Sequence, residues 1–357
     1  MGVPLGQSLK PFCKLRDPSS YVGCTWDLTL DAAGRSHWTG FHRRHIRTLL
    51  GLAIEAAAAR GESPEAVNAR AEKCREELVN LLDRFAENPH AFGEVTILTL
   101  DRWRDTTLRR YGFPEPMIDL KARENARMLP LLPQICAEID ALSGRAQIDA
   151  VVQGVFAGNI FDMGSEATAK AFLGKSPDFF AIRHSLAPRP WLIDDYDRLA
   201  GRFLDGPPHR KAVFFIDNAG SDFLLGALPM MRWLARRGTR IVVAANDRPT
   251  LNDMTISDVR SWWPKILETE PSLATLSIET SGTGTGDPLI DLAQVSDELN
   301  NAARDADLII LEGMGRGVES NLDAEFTCEA INLAMIKDEA VALRHGGKLY
   351  DIVCKIR

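Results

Sequence analysis

Apolar residues recur at helical spacing from about position 40 to position 150 of the chain and gather into short unbroken runs thereafter. Ile46, Leu49, Leu50, Ala53, Ile54 and Ala57 mark one face of a helix that stops at Arg60-Gly61. Ser63-Pro64 supplies an N-cap and a first-turn proline for a second helix, with Ala71, Cys74, Leu78, Leu81, Leu82 and Phe85 as its buried stripe. Further helices are expected over 95–111 and 117–129, and Ile135, Ile139 and Leu142 continue the pattern to Gly144. Val151 to Phe156 closes another helix, and residues 1 to about 40 read as irregular, with no strand expected before 150.

Beyond that point the period changes. Strands are expected at 212–216, 240–245, 274–279, 307–311, 332–336 and 348–354, with helices over 222–237, 255–268 and 289–304 between the first four. Thr255 followed by Asp258 is a capping-box start. Residues 185–208, rich in Pro and Asp, read as a linker. Strands alternating with helices imply parallel pairing through right-handed crossovers. The expected fold is therefore α/β: a mainly helical region, 1–150, packed on a doubly wound, mostly parallel sheet with helices on both faces, 151–357.

Four strands then run into polar loops: 217–222, 246–253, 281–287 and 312–321. In a parallel sheet all four lie on the carboxyl edge, where such folds bind ligands. Asp217 and Asp253 stand one βαβ unit apart, so both carboxylates can face one point. With Asn218 they offer three hard oxygen donors, which suits Mg²⁺ or Mn²⁺, or Co²⁺ or Ni²⁺, better than a closed zinc site. The plainer alternative is a helix cap at Asp253 and a turn at Asn218. Ser221 is a good helix N-cap. The glycine loops 283–286 and 313–317 could offer N–H groups to a phosphate, with Arg316 as a bidentate cation, or could simply turn tightly. Lys355, ending the last strand, reads equally as a phosphate contact or a solvated lysine.

Composition narrows the partners. A net charge of −7 argues against nucleic acid or an anionic membrane, while leaving a small anionic substrate open. No apolar run reaches the ~20 residues of a membrane span. The six cysteines form no CxxC pair and, with no signal peptide, read as reduced thiols of a cytoplasmic protein. A homo-oligomer is left open. Gly282-x-Gly284-x-Gly286 lacks the dinucleotide spacing, so no nucleotide cofactor is expected. Residues 169–176 miss the first glycine of a P-loop, and a haloacid-dehalogenase-type site would need Asp where Ala219 stands.

The motifs GNIFDMG (158–164), DNAGSD (217–222), NDRPTLND (246–253) and EGMGR (312–316) together resemble the metal-dependent damage-control phosphatases, the DUF89 family. YVGCTWDL (21–28) and KARENARML (121–129) extend the similarity into the helical half. EGMGR resembles the subgroup that acts on phosphopantetheine, and the whole is similar to its free-standing plant form. The resemblance implies a divalent metal in a cleft between the two regions, held by Asp217, Asn218 and Asp253. Asp217 or Asp253 would orient an attacking water, with Glu124, Asn125, Asn159, Asp162 and Arg316 around a small phosphorylated metabolite. The implied reaction is hydrolysis of 4′-phosphopantetheine and its oxidised forms. Sugar phosphates, as in other branches, and a non-catalytic binding role are the alternatives.

Overall fold

The computed structural model describes residues 8–160 and 178–357. The helical half opens with α1 (Ala32–Ala59), whose N-cap Asp31 accepts the Gly34 N–H, and α2 (Pro64–Glu87), capped by Ser63 with Pro64 in its first turn. It continues through α3 (Ile97–Arg110), α4 (Ile118–Met128), α5 (Leu132–Asp140) and α6 (Gly144–Asn159). Leu49, Leu78, Leu82, Phe85 and Leu100 share one apolar cluster with Leu289, Met314 and Val318. That burial seats the helices against the loops beyond the sheet. Residue 150 falls inside α6, whose Val151, Val155 and Phe156 join the core under the sheet. The two halves are thus threaded by one helix.

The sheet has seven strands: β1 (Ile193–Asp194), β2 (Lys211–Phe215), β3 (Arg240–Ala245), β4 (Ile278–Gly282), β5 (Leu308–Glu312), β6 (Glu329–Met335) and β7 (Ile352–Ile356). Their order is β1-β7-β6-β5-β2-β3-β4. β2 through β6 run parallel, while β7 is antiparallel to β6 and carries β1 beside it. From β2 the chain winds outward to β3 and β4, then returns to lay β5 on the other side of β2. The switch point lies between β2 and β5, where open α/β sheets place ligands.

Several expected elements shift. β4 starts later than 274 because Glu270 caps a short 3₁₀ turn, Pro271–Thr275, ahead of it. The helix expected over 289–304 shrinks to Asp297–Ala303, capped by Ser296. Its apolar start is buried instead by the amino-terminal segment, where the Phe12 N–H donates to Leu292 O and Lys10 pairs with Val295. The supposed linker 185–208 holds β1 and a helix, Tyr196–Asp205, with Leu199, Ala200 and Phe203 as its buried stripe. Among the described residues no helix is long and apolar enough to cross a membrane.

Candidate active site

The loop after β2 is stitched to the loop after β3. Ala219 N–H donates to Asn252 O and Met254 N–H to Asp217 O, both at 2.9 Å, so Asp217-Asn218 lies antiparallel to Asp253. The chain then enters a π-helical turn, Asp222–Ala227, where the Phe223 N–H reaches five residues back to Asn218 O. Such turns favour functional sites, and a second, Gly315–Ser320, follows β5. Ser221 is not the expected N-cap. Its backbone is already helical and its hydroxyl donates to Gly158 O, while Asp222 accepts the Asn218 N–H. Gly220 has φ +77°, and a Cβ there would stand 3.0 Å from Glu124 Cβ. Asn125 Oδ1 accepts the Gly220 N–H at 2.7 Å, so α4 braces the loop.

Four carboxyls gather at this edge: Asp217, Asp222, Asp253 and Glu312, all buried. Arg316, fully buried, bridges two of them, donating from Nη1 to Asp217 Oδ1 and from Nη2 to Asp253 Oδ2. Asn159 lies among the rest, its amide donating to Asp222 at 3.0 Å, Asp217 at 3.2 Å and Glu312 at 3.4 Å. Lys337 Nζ donates to Asn159 O at 2.7 Å. Burial pushes the Asp217 carboxyl up to about 8, opposed by Arg316 and reinforced by Asp253. Burial, with Asp222 and Asp217 adding to it, pushes Glu312 well above the carboxylate range. Burial also works against the charge on Arg316, yet Asp253 and Asp217 hold its pKa above the usual value.

Above the acids a cleft of about 60 Å³ is lined by Asp217, Asn218, Asp253, Leu251, Pro288, Leu289, Met314, Gly315 and Glu319 from the sheet half, and by Trp38, Phe41, Ile97, Asp101 and Arg104 from the helical half. Leu251 has φ +44°, a conformation a branched side chain rarely adopts, and it lines this cleft. The helical half also grips the loop: Arg104 donates to Thr250 Oγ1 at 3.0 Å, and Lys121 to Asp253 O at 3.2 Å.

The structure thus brings Asp217, Asn218, Asp253, Asn159 and Arg316 together, with Glu124 and Asn125 behind the loop. Arg316 is the reverse of a solvated arginine, and Thr255 rather than Asp253 caps the following helix, Ile256–Thr269. Lys355 is not part of this group. Its strand runs antiparallel, so its end points away from the carboxyl edge, and Nζ donates to Leu322 O and Asp323. Asp162 and residues 169–176 lie outside the described residues. The glycine loop after β4 is tied to the end of β3 and the loop that follows it, with Gly284 N–H given to Asp247 and Thr283 N–H to Ala245 O. Sequence reasoning missed Glu312, Asp222, Lys337, Asp101 and Arg104 as members. Glu312 and Lys337 could have been found as charges directly at the end of apolar strands. Asp101 and Arg104 carry no such signal, because a charged pair on a helix reads as its solvated face.

The donors suit a hard divalent cation in kind. Four carboxyls are buried here beside the cations Arg316 and Lys337, and the raised pKa values of Asp217 and Glu312 show that this much acid is not held ionised by the chain's own cations. Asn218 donates Nδ2 to Asp217 and Asp222 at 3.0 and 2.9 Å, and no described residue donates to its Oδ1. Arg316 Nε, buried, has no hydrogen-bond partner among the described residues. Among the described residues no three His, Cys, Asp or Glu side chains form a ready-made metal cage, since the third donor is an amide and Arg316 spans the two aspartates.

A doubly wound sheet whose switch point holds buried acids, an arginine and a cleft is an α/β enzyme architecture. The family model for the damage-control phosphatase ARMT1-like domain matches residues 42–353, and the chain belongs to that family of phosphatases. It is 39% identical to a damage-control phosphatase of Arabidopsis thaliana over 80% of this chain and 79% of that one. It is 32% identical to the 4′-phosphopantetheine phosphatase of Mus musculus over 96% of this chain, but spans only 48% of that protein. A crystal structure of a DUF89-family protein from Pyrococcus horikoshii shares the fold, with TM-score 0.61 at 16% identity over 89% of this chain and 96% of that one.

Proposed function

We propose that this chain is a metal-dependent phosphomonoesterase that hydrolyses 4′-phosphopantetheine and its oxidised forms, removing damaged metabolites. The observation that carries the reading is the surplus of buried carboxyls around Asp217 and Asp253 at the switch point, beneath a cleft. The mouse relative's name supports the substrate, and family membership supports the reaction.

Asp217, Asn218 and Asp253 would hold the ion, with Mn²⁺, Ni²⁺, Co²⁺ or Mg²⁺ as candidates. When bound, such an ion supplies positive charge to phosphoryl oxygens and lowers the pKa of a coordinated water. The chain's own residues do the remainder. Arg316 keeps a fixed guanidinium between the two aspartates, a preorganised charge where negative charge develops. Asn159, tied to three carboxyls and through its backbone to Lys337, keeps the acids in register. Trp38, Phe41, Leu289 and Met314 exclude water around the leaving group and offer an apolar wall. A panel of phosphopantetheine derivatives and hexose phosphates, compared by kcat/KM with Mn²⁺, tests the reading. Higher values for the pantetheine compounds are expected, and a preference for hexose phosphates would overturn the substrate assignment.

A further inference from the structure

We propose that Asp101 is the general acid that protonates the departing alkoxide when a phosphate monoester is cleaved in this cleft, and that Arg104 positions it. The proposal rests on the phosphomonoesterase reading and assigns a step to the helical half. Asp101 shares the cleft with Asp217, Asn218 and Asp253 but is carried on α3, apart from the loops that present those three. The two aspartates bridged by Arg316 would also hold the metal ion under that reading, which would keep them ionised, so the proton donor is sought elsewhere.

The local bonding leaves one oxygen of Asp101 for this work. Arg104 Nη1 donates to Oδ1 at 2.6 Å. The rest of that guanidinium is fixed, with Nε on Asp105 at 2.7 Å and Nη2 on Thr250 at 3.0 Å, and Thr250 donates to Asp105 at 2.7 Å. Among the described residues nothing donates to Asp101 Oδ2. One oxygen is clamped and the other is left to the cleft.

The surrounding charges agree. Burial, which outweighs Arg104 and is reinforced by Asp105, Asp287 and Asp253, pushes the Asp101 carboxyl up to about 7. From α1 the His42 ring faces it, Nε2 to Oδ1 at 3.8 Å. Burial, then Arg104 and His45, keeps that ring neutral, and among the described residues neither of its nitrogens has a hydrogen-bond partner. A carboxyl of this kind keeps its proton in a good fraction of molecules at neutral pH.

In the step, water adds to phosphorus as the ester P–O bond breaks, and the ester oxygen leaves with the bonding pair. That oxygen takes the proton from Asp101 Oδ2. The attacking water loses one proton to solvent, and Asp101 is reprotonated from solvent, so the products are the alcohol and hydrogen phosphate.

The test is a set of aryl phosphates of similar shape, from 4-nitrophenyl to 4-methoxyphenyl, with Mn²⁺. A good leaving group needs no proton and a poor one does. Asp101→Asn should lower kcat for the methoxyphenyl ester by about 10²–10⁴-fold, and for the nitrophenyl ester far less. The wild type gives a second reading that needs no variant: the acid must be protonated, so kcat for the methoxyphenyl ester should fall as pH rises past neutrality while that for the nitrophenyl ester holds. Equal losses on both esters, together with a wild-type ratio that stays flat with pH, would overturn the proposal. Wild type inactive on every ester would instead defeat the phosphomonoesterase reading beneath it.

Discussion

Replacing Arg316 by methionine removes the guanidinium that bridges Asp217 and Asp253, which are 6% and 2% exposed. Breaking a buried pair by deleting one partner costs about 3–5 kcal/mol, and here one cation serves two acids, so the upper part of that range is expected. At about 2 °C per kcal/mol the upper part of that range lowers Tm by roughly 8–10 °C without metal. The loss depends on pH in a definite direction. Burial already raises Asp217 to about 8, and losing Arg316 removes the charge that opposes that rise. Wild type and variant both keep this carboxyl protonated when folded up to about pH 8, so their difference changes little below that; above it the wild type ionises Asp217 beside Arg316, while the variant holds its proton and goes on losing stability. The deficit should therefore be larger at pH 9 than at pH 6. Mn²⁺ should then rescue the variant more than it stabilises the wild type, because Arg316 no longer competes for the carboxylates. Saturation at a hundred times Kd is worth about 2.7 kcal/mol. Thermal melts at both pH values, in EDTA and in Mn²⁺, read all of this. A variant that melts with the wild type in EDTA at pH 9, or gains less from Mn²⁺, would refute the reasoning.

Asn125→Ala strips the acceptor from the buried Gly220 N–H and should cost about 1–3 kcal/mol, with kcat falling as the loop loosens; melts and steady-state rates check it. Gly158→Ala places a Cβ 2.8 Å from Ser221 O and 3.0 Å from Asp222 Cα, backbone that cannot yield without moving the acid loop. About 1–3 kcal/mol of destabilisation together with lost activity is expected, read from urea melts and turnover. Asp140 is held below its ordinary pKa first by its hydrogen bond to Arg232, whose guanidinium meets it at 2.8 and 2.9 Å. Its contribution is present above the unfolded carboxylate pKa and is lost as pH falls through the folded one. Asp140→Asn should therefore narrow the wild type's advantage in acid melts below about pH 4.

The parallel strands were legible because buried strands read as unbroken apolar runs, and β3 falls where its run lies. The acid pair was legible from chain order alone, since Asp217 and Asp253 end neighbouring strands. Lys355 misled because direction is invisible in a run of apolar residues: β7 turns antiparallel and carries the lysine away from the edge. Residues 289–295 look helical but are buried by a segment nearly three hundred positions earlier, a long-range contact with no local trace. The same holds for Arg104. Its ion pairs with Asp101 and Asp105 are ordinary for an exposed helix, and only tertiary packing buries them against Thr250.

Phosphate release from 4-nitrophenyl phosphate, followed as Mn²⁺ is returned to EDTA-stripped protein, tests the central claim most directly when run beside Asp217→Ala. Turnover should rise with Mn²⁺ in the wild type and stay at background in the variant. A folded wild type indifferent to metal, or a variant that turns over as fast, would contradict it.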